Sequence, residues 1–192
     1  MRRVASQIRA RDSDPPDEDL VTQVLRGDRD AYAELVNRHQ ARIYRHARGM
    51  GLDHDTSLDL VQDAFVKAYT RLHECHDAPH FRAWVFRIGR NLCLDHLRSV
   101  RRLSIPMSSV EGIERVADRR AEVDDVERTL REALMRLPAA LREAFLLKHD
   151  AGYTYDEIAE LTNASPSAVK MRVHRARESL RTFLIEQGVN AA

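Results

Sequence analysis

The chain has 192 residues, of which 43% are hydrophobic and 32% charged, and its formal net charge is only +1. That length and hydrophobic content allow one large or two small cores, and two cysteines make no disulfide framework and suit a reducing cytoplasm. Residues 1–16 contain charged residues and two prolines but no apolar run. We interpret them as a flexible lead, neither a signal peptide nor a membrane anchor.

No segment shows sustained strand alternation, so we predict an all-α protein of two small helical domains joined by a flexible linker. The first domain is predicted over residues 17–102, with three helices. Its first helix, DAYAELVNRHQARIYRHARGM, is expected to end at Gly49 and Gly51. The second, DTSLDLVQDAFVKAYTRLH, has a predicted inward side made of Leu58, Val61, Phe65, Ala68, Tyr69 and Leu72. The third, HFRAWVFRIGRNLCLDHLRSVRR, is predicted to turn its arginines outward and to bury Trp84, Ile88, Leu92 and Leu97.

Residues 103–123 have no clean period and are interrupted by Pro106 and Gly112, so we interpret them as an acidic linker. The second domain is predicted over residues 124–186, followed by a short tail at 187–192. Its first helix stops before Pro138, and a second helix follows in AALREAFLLKHDAGY.

The segment TYDEIAELTNASPSAVKMRVHRARESLR predicts two more helices joined by a tight turn. Thr154 and Glu157 fit a capping box, and Ser165 followed by Pro166 is a good helix start. Apolar residues then follow at spacings of four, three and four; they are Val169, Val173, Ala176 and Leu180. This pattern predicts a helix-turn-helix, whose second helix enters the major groove of DNA.

Charge is segregated along the chain despite the small net charge. Residues 53–77 carry six acids and two bases, a net charge of −4, and residues 82–102 carry six arginines and one acid, a net of +5. Residues 111–127 return to −4, and residues 166–181 have five bases and one acid, a net of +4. The last helix has two alternative interpretations, an ordinary solvated face or a protein-docking helix, but a solvated face usually mixes signs. We therefore favour DNA binding, with acidic surfaces left for another partner.

These segments together resemble a known family. The acidic DLVQDAFVKAYTRLH, the basic FRAWVFRIGRNLCLDHLRSVRR and the C-terminal RLPAALREAFLLKHDAGYTYDEIAELTNASPSAVKMRVHRARESLR stand in the order found in bacterial sigma factors of the extracytoplasmic-function (ECF) group. The resemblance implies a dissociable promoter-specificity subunit of RNA polymerase, without chemistry or a cofactor of its own. It implies a cytoplasmic protein that binds core polymerase and promoter DNA, without membrane insertion, and that an anti-sigma factor holds inactive.

The resemblance also implies roles for individual residues. The first domain would dock on the clamp helices of the largest polymerase subunit through Asp59, Gln62 and Asp63, and open the −10 element. The −10 contacts would be Arg90, Asn91, Asp95, Arg98, Arg101 and Arg102. The second domain would touch the polymerase flap and read the −35 element through Ser167, Lys170, Met171, Arg172, His174, Arg175 and Arg177. Arginines suit phosphates, and Asn91 has the paired donor and acceptor that read a base edge.

Three alternatives stay open at this point. Trp84 could stack an unpaired base, although its place on the apolar stripe favours a core role.

A regulatory metal could bind the soft ligand types His73, Cys75, His76, His80, Cys93 and His96, but their spacing matches no standard zinc pattern, so we predict no metal site. A stand-alone helix-turn-helix regulator would bind duplex DNA without polymerase, yet it gains nothing from acidic segments placed between basic ones. No phosphate-binding loop or HExxH motif supports an enzyme.

Overall fold

A computed structural model describes residues 15–75, 81–103 and 125–188 of the chain. These residues form eight α-helices and one short 3-10 turn, and none of them lies in a strand. The all-α prediction is confirmed. No helix in the described ranges is long and apolar enough to cross a membrane.

The first helix, α1 (Asp17–Leu25), has no counterpart in the sequence prediction. It buries Leu20, Val21 and Val24, a stripe too short to show a convincing period. Its first residue, Asp17, accepts a hydrogen bond from His39 at 2.7 Å and lies 3.3 Å from Arg38. These contacts, the His39 bond foremost, lower the pKa of Asp17 although partial burial opposes them. The helix is thus fixed to the next one by polar as well as apolar contacts.

Helix α2 (Arg29–Met50) follows the cap residue Asp28, whose carboxylate accepts hydrogen bonds from the backbone amides of residues 30 and 31. It runs through Gly49 and ends at Gly51, which takes the left-handed conformation with φ of 107°. Gly49 therefore does not end the helix as predicted. A Cβ placed at Gly49 would lie 2.8 Å from the side chain of Leu146 in the second domain. This glycine permits a close approach of the two domains.

Helix α3 (His54–Thr70) is capped by Asp53, which accepts the Thr56 amide at 2.8 Å. A 3-10 turn (Leu72–Glu74) follows it, and the next described helix is α4 (Phe81–Leu103). The predicted inward side of α3 is partly wrong, because Leu58 and Tyr69 are each 48% exposed. In α4 the residues predicted to be buried are only half-buried. The buried residues are Phe81, Val85, Phe86, Gly89, Arg90 and Cys93.

The second domain consists of α5 (Asp125–Arg136), α6 (Ala139–His149), α7 (Tyr155–Thr162) and α8 (Pro166–Glu186). Helix α8 packs on α5, α6 and α7. Between the domains, α6 packs on α2, and the loop after α6 inserts Tyr153 beside Phe86 of α4, with ring centroids 5.2 Å apart. Tyr153 is completely buried. The two domains therefore share a packed seam, while residues 104–123 of the predicted linker lie outside the described residues.

Candidate nucleic-acid interface

The helix-turn-helix forms with the predicted caps. The Thr154 hydroxyl accepts the Glu157 amide at 3.3 Å, and the Glu157 carboxylate accepts the Thr154 amide at 2.7 Å. Asn163 ends α7 in the left-handed conformation, with φ of 50°, which asparagine tolerates better than most residues. Ser165 then accepts the Ala168 amide at 3.2 Å and starts α8. Local side-chain bonds thus define where the two helices begin.

Helix α8 divides into two faces. All four residues of the predicted apolar stripe are buried, at 4% exposure or less. The opposite face carries the residues assigned to the −35 element, and all but the half-buried Arg172 are exposed; these are Ser167, Lys170, Met171, His174, Arg175 and Arg177. Met171 is 50% exposed although it is apolar. The helix therefore presents side chains that can donate to base edges and phosphates along one open surface.

Two residues outside the prediction lie beside this surface. The Lys170 ammonium lies 5.7 Å from the ring centroid of Tyr155, at the start of α7. The Lys148 ammonium, from the last turn of α6, lies 4.6 Å from the same centroid. The sequence pattern does not reveal them, because both contacts join helices that are separate in the chain.

The basic face of α4 is arranged differently. The prediction that its arginines point outward is wrong for Arg90, which is only 9% exposed. Its Nε donates to the Glu143 carboxylate of α6 at 2.7 Å, across the seam between the domains. One guanidinium nitrogen also donates to Asn91 at 3.4 Å. In this arrangement the Arg90 guanidinium is buried and paired with a residue of the second domain.

Four of the other assigned residues of α4 remain at the surface. Asn91, Asp95, Arg98 and Arg102 are exposed, and Arg101 lies in the same helix. Arg98 donates to Asp95 at 3.0 Å, within one turn. A groove of about 430 Å³ separates this part of α4 from the end of α7, and Asn91, Arg98 and Asn163 are among its lining residues. Asn91 and Arg98 thus face the turn of the helix-turn-helix across this groove.

A buried histidine lies beside the Arg90 pair. His46 of α2 is 2% exposed and contacts the Phe86 ring, with centroids 5.1 Å apart. Neither of its ring nitrogens has a hydrogen-bond partner in the described part of the chain. Burial, and secondarily the positive charge of Arg90, lower the pKa of His46 to about 3. The imidazole is therefore neutral at physiological pH.

Helix α3 carries the acidic surface. Asp59, Gln62 and Asp63 are all exposed. Leu58 and Val66 flank them and are 48% and 57% exposed. The prediction missed this apolar flank because Leu58 also fits the inward period. The resulting surface combines negative charge with apolar area, which suits a basic amphipathic helix.

The comparisons with known proteins agree with this arrangement. The Sigma-70 region 2 model matches residues 35–103, and the Sigma-70, region 4 model matches residues 127–180. The ECF RNA polymerase sigma factor SigW of Bacillus subtilis (strain 168) is 30% identical over 177 residues, which cover 85% of this chain and 94% of SigW. The chain is an ECF RNA polymerase sigma factor.

Two solved structures share the fold of this sigma factor. CnrH, in complex with the cytosolic domain of CnrY, superposes with a TM-score of 0.66 at 31% identity, covering 90% of this chain and 99% of CnrH. RpoE from Bartonella quintana, in complex with the anti-sigma factor NepR, gives 0.64 at 26% identity, covering 80% of this chain and 96% of RpoE. The predicted family and fold are confirmed.

The candidate metal ligands of this sigma factor do not form a site in the described ranges, where no group of three or more His, Cys, Asp or Glu side chains is placed to hold a metal ion. His73 and His96 are exposed, and both cysteines are buried thiols. Burial raises the pKa of Cys93 to about 12, which makes it a poor thiolate ligand. His76 and His80 lie outside the described residues.

Proposed function

We propose that this sigma factor binds core RNA polymerase, reads the −35 element with its second domain, residues 124–186, and engages the −10 element with its first, residues 17–102. The proposal rests on the two faces of α8. One is a buried apolar stripe, and the other is exposed and carries the residues assigned to the −35 element; we call it the reader face. Such a helix can rest on its own domain while its outer face enters a groove walled by phosphates.

On the −35 element, the proposed division of labour follows side-chain chemistry. Lys170 and Arg175 can donate to guanine O6 and N7, while Met171 and His174 meet neighbouring bases. Arg172 and Arg177 hold phosphates, and Ser167 lies in the first turn of α8, where helix amides also favour phosphate. Phosphate contacts set the position of the helix, and the base contacts set the sequence.

On the −10 element, we propose Asn91 as a base reader and Arg98, Arg101 and Arg102 as phosphate contacts, with Asp95 fixing Arg98. The pair between Arg98 and Asp95 supports this arrangement. Arg90 is different, because its guanidinium is buried against Glu143. A role for Arg90 on DNA requires the second domain to move away from α4, and we propose that it moves when the protein binds polymerase.

For core binding, we propose that the clamp helices of the largest polymerase subunit dock on Asp59, Gln62 and Asp63. The exposed Leu58 and Val66 beside them support this, since docking would cover apolar area as well as pair charges. We place the flap contact on the second domain. We also propose that an anti-sigma factor holds the protein inactive; the complex of the related RpoE with the anti-sigma factor NepR supports this.

We further propose that the protein acts in the cytoplasm by binding alone, without catalysis, metal or cofactor. The testing experiment is transcription in vitro with core polymerase, a fragmented genomic template and the purified chain, followed by sequencing of transcript starts. We expect starts that share −35 and −10 elements and that disappear without the chain. A protein that shifts promoter duplex equally well without core polymerase, and yields no new starts with it, would instead be a stand-alone regulator.

A further inference from the structure

The Lys170 side chain touches the rest of the second domain through one aromatic ring. Tyr155 is the first residue of α7 and is half-buried against the core of the domain. The Lys170 ammonium lies 5.7 Å from its ring centroid, within the range of a cation–π interaction. Lys170 has no hydrogen bond or ion pair to any residue in the described ranges. The ring is therefore what limits where this ammonium goes.

The second cation at this ring is fixed independently. Lys148 lies 4.6 Å from the Tyr155 centroid and donates to the Tyr153 carbonyl at 3.3 Å. The ring itself is held by the capping box, because Thr154 and Glu157 secure the start of α7 through backbone bonds. Tyr155 is thus held by the packing and the capped start of α7, and the Lys170 ammonium lies beside its ring.

A lysine on a four-carbon stem loses much conformational freedom when it binds one base edge. A contact that already restricts the side chain lowers that loss and favours the bound geometry. The same contact is lost when the ring is replaced by an aliphatic side chain, although charge and helix are unchanged.

We propose that Tyr155 is a positioning residue for −35 recognition, whose ring aims the Lys170 ammonium at a purine edge in the major groove. The inference rests on the proposed function, in which Lys170 reads a base. It assigns a specificity role to a residue that itself contacts no base. The hydroxyl group is not needed, so phenylalanine is expected to replace tyrosine.

The experiment measures transcription in vitro by the reconstituted holoenzyme on promoters that differ at single −35 positions. The readout is the ratio of activities on the best and worst base at each position, which cancels any loss of active protein. We expect Lys170→Ala to lower this ratio at one base pair by about 5- to 150-fold. Tyr155→Leu should lower it at that same base pair by about 2- to 5-fold, and Tyr155→Phe should retain the wild-type ratio. In the Lys170→Ala background, Tyr155→Leu should change nothing further.

The matched control is Lys148→Ala, which removes a cation from the same ring and is expected to leave the ratio at every −35 position unchanged. If Lys170→Ala relaxes the ratio and Tyr155→Leu does not, the positioning role fails while the proposed reader stands. If Lys170→Ala itself changes no ratio, the assignment of Lys170 fails and the inference with it. A Phe variant that behaves like Leu points to a hydroxyl contact with phosphate, and a Lys148→Ala variant that relaxes the ratio points to local charge. Either result overturns the role of the ring.

Discussion

The two basic helices of this sigma factor, α4 and α8, have similar charge but different surroundings. Helix α8 has its apolar stripe inside its own domain, so its cations are left on an open surface. Helix α4 has a second domain packed against part of its basic side, and there Arg90 pairs with Glu143 in a buried seam. A run of arginines thus predicts a basic surface only where no other part of the chain covers it.

The largest effect is expected from removing Glu143, the acid that pairs with Arg90 in the seam. Glu143→Ala leaves a buried guanidinium without its partner, which typically costs about 3–5 kcal/mol of unfolding free energy. Urea unfolding measures the change. Glu160→Ala, at an exposed position on α7, is the control and should stay within about 0.5 kcal/mol of wild type. A Glu143→Ala protein as stable as the control would contradict the buried pair.

The acidic surface of α3 is exposed, unlike the buried seam at Arg90, and a charge reversal there tests whether it binds core polymerase. Asp63→Arg places a positive charge against the basic partner that we propose, so affinity for core polymerase should fall by about 2–5 kcal/mol. Fluorescence titration of labelled protein with core polymerase measures it. Asp19→Arg makes the same charge change at an exposed position of α1. Equal affinity of the two variants would remove the docking face from α3.

On the reader face of α8 we expect two kinds of effect, a loss of preference at one base pair and a loss of affinity for every −35 sequence. Arg175→Ala should cost about 1–3 kcal/mol at one −35 base pair and relax the preference there. Arg177→Ala, at an equally exposed position, should weaken all −35 variants alike and reduce the salt dependence by about one unit. Binding or transcription across a set of single-base −35 variants, at two salt concentrations, distinguishes the two. An even loss with Arg175→Ala would make α8 an electrostatic clamp without base readout.

The smallest expected effect is the pH dependence of stability that comes from His46, the buried histidine beside the Arg90 pair. The pKa of His46 is about 3 in the folded protein, below its ordinary value of 6.5. The unfolded chain therefore takes up the proton first, and stability falls as pH drops below about 6.5 and continues to fall toward 3. We expect about 1 kcal/mol less unfolding free energy at pH 6 than at pH 8 from this group. His46→Leu should flatten that part of the pH profile; an unchanged profile would mean that the imidazole is hydrated.

Local features of this protein follow from the sequence alone. The capping box of Thr154 and Glu157 and the Ser165 cap form as predicted, because each joins residues within four positions of one another. The sequence motifs of the two halves, in their order along the chain, likewise resemble those of the family. Such features need no knowledge of what else packs against them.

Helical periodicity predicts several faces that could be buried, and only the tertiary structure decided which of them are. Leu58 and Arg90 each fit the period of their helix, yet Leu58 is left exposed and Arg90 is buried. Gly49 sits within a helix because Leu146, nearly a hundred positions away in the chain, needs the space. Helix α1 is short and gains its stability from contacts with α2 and α4, not from its own pattern. Periodicity gives the face of a helix that seeks burial, while burial itself depends on partners that are distant in the chain.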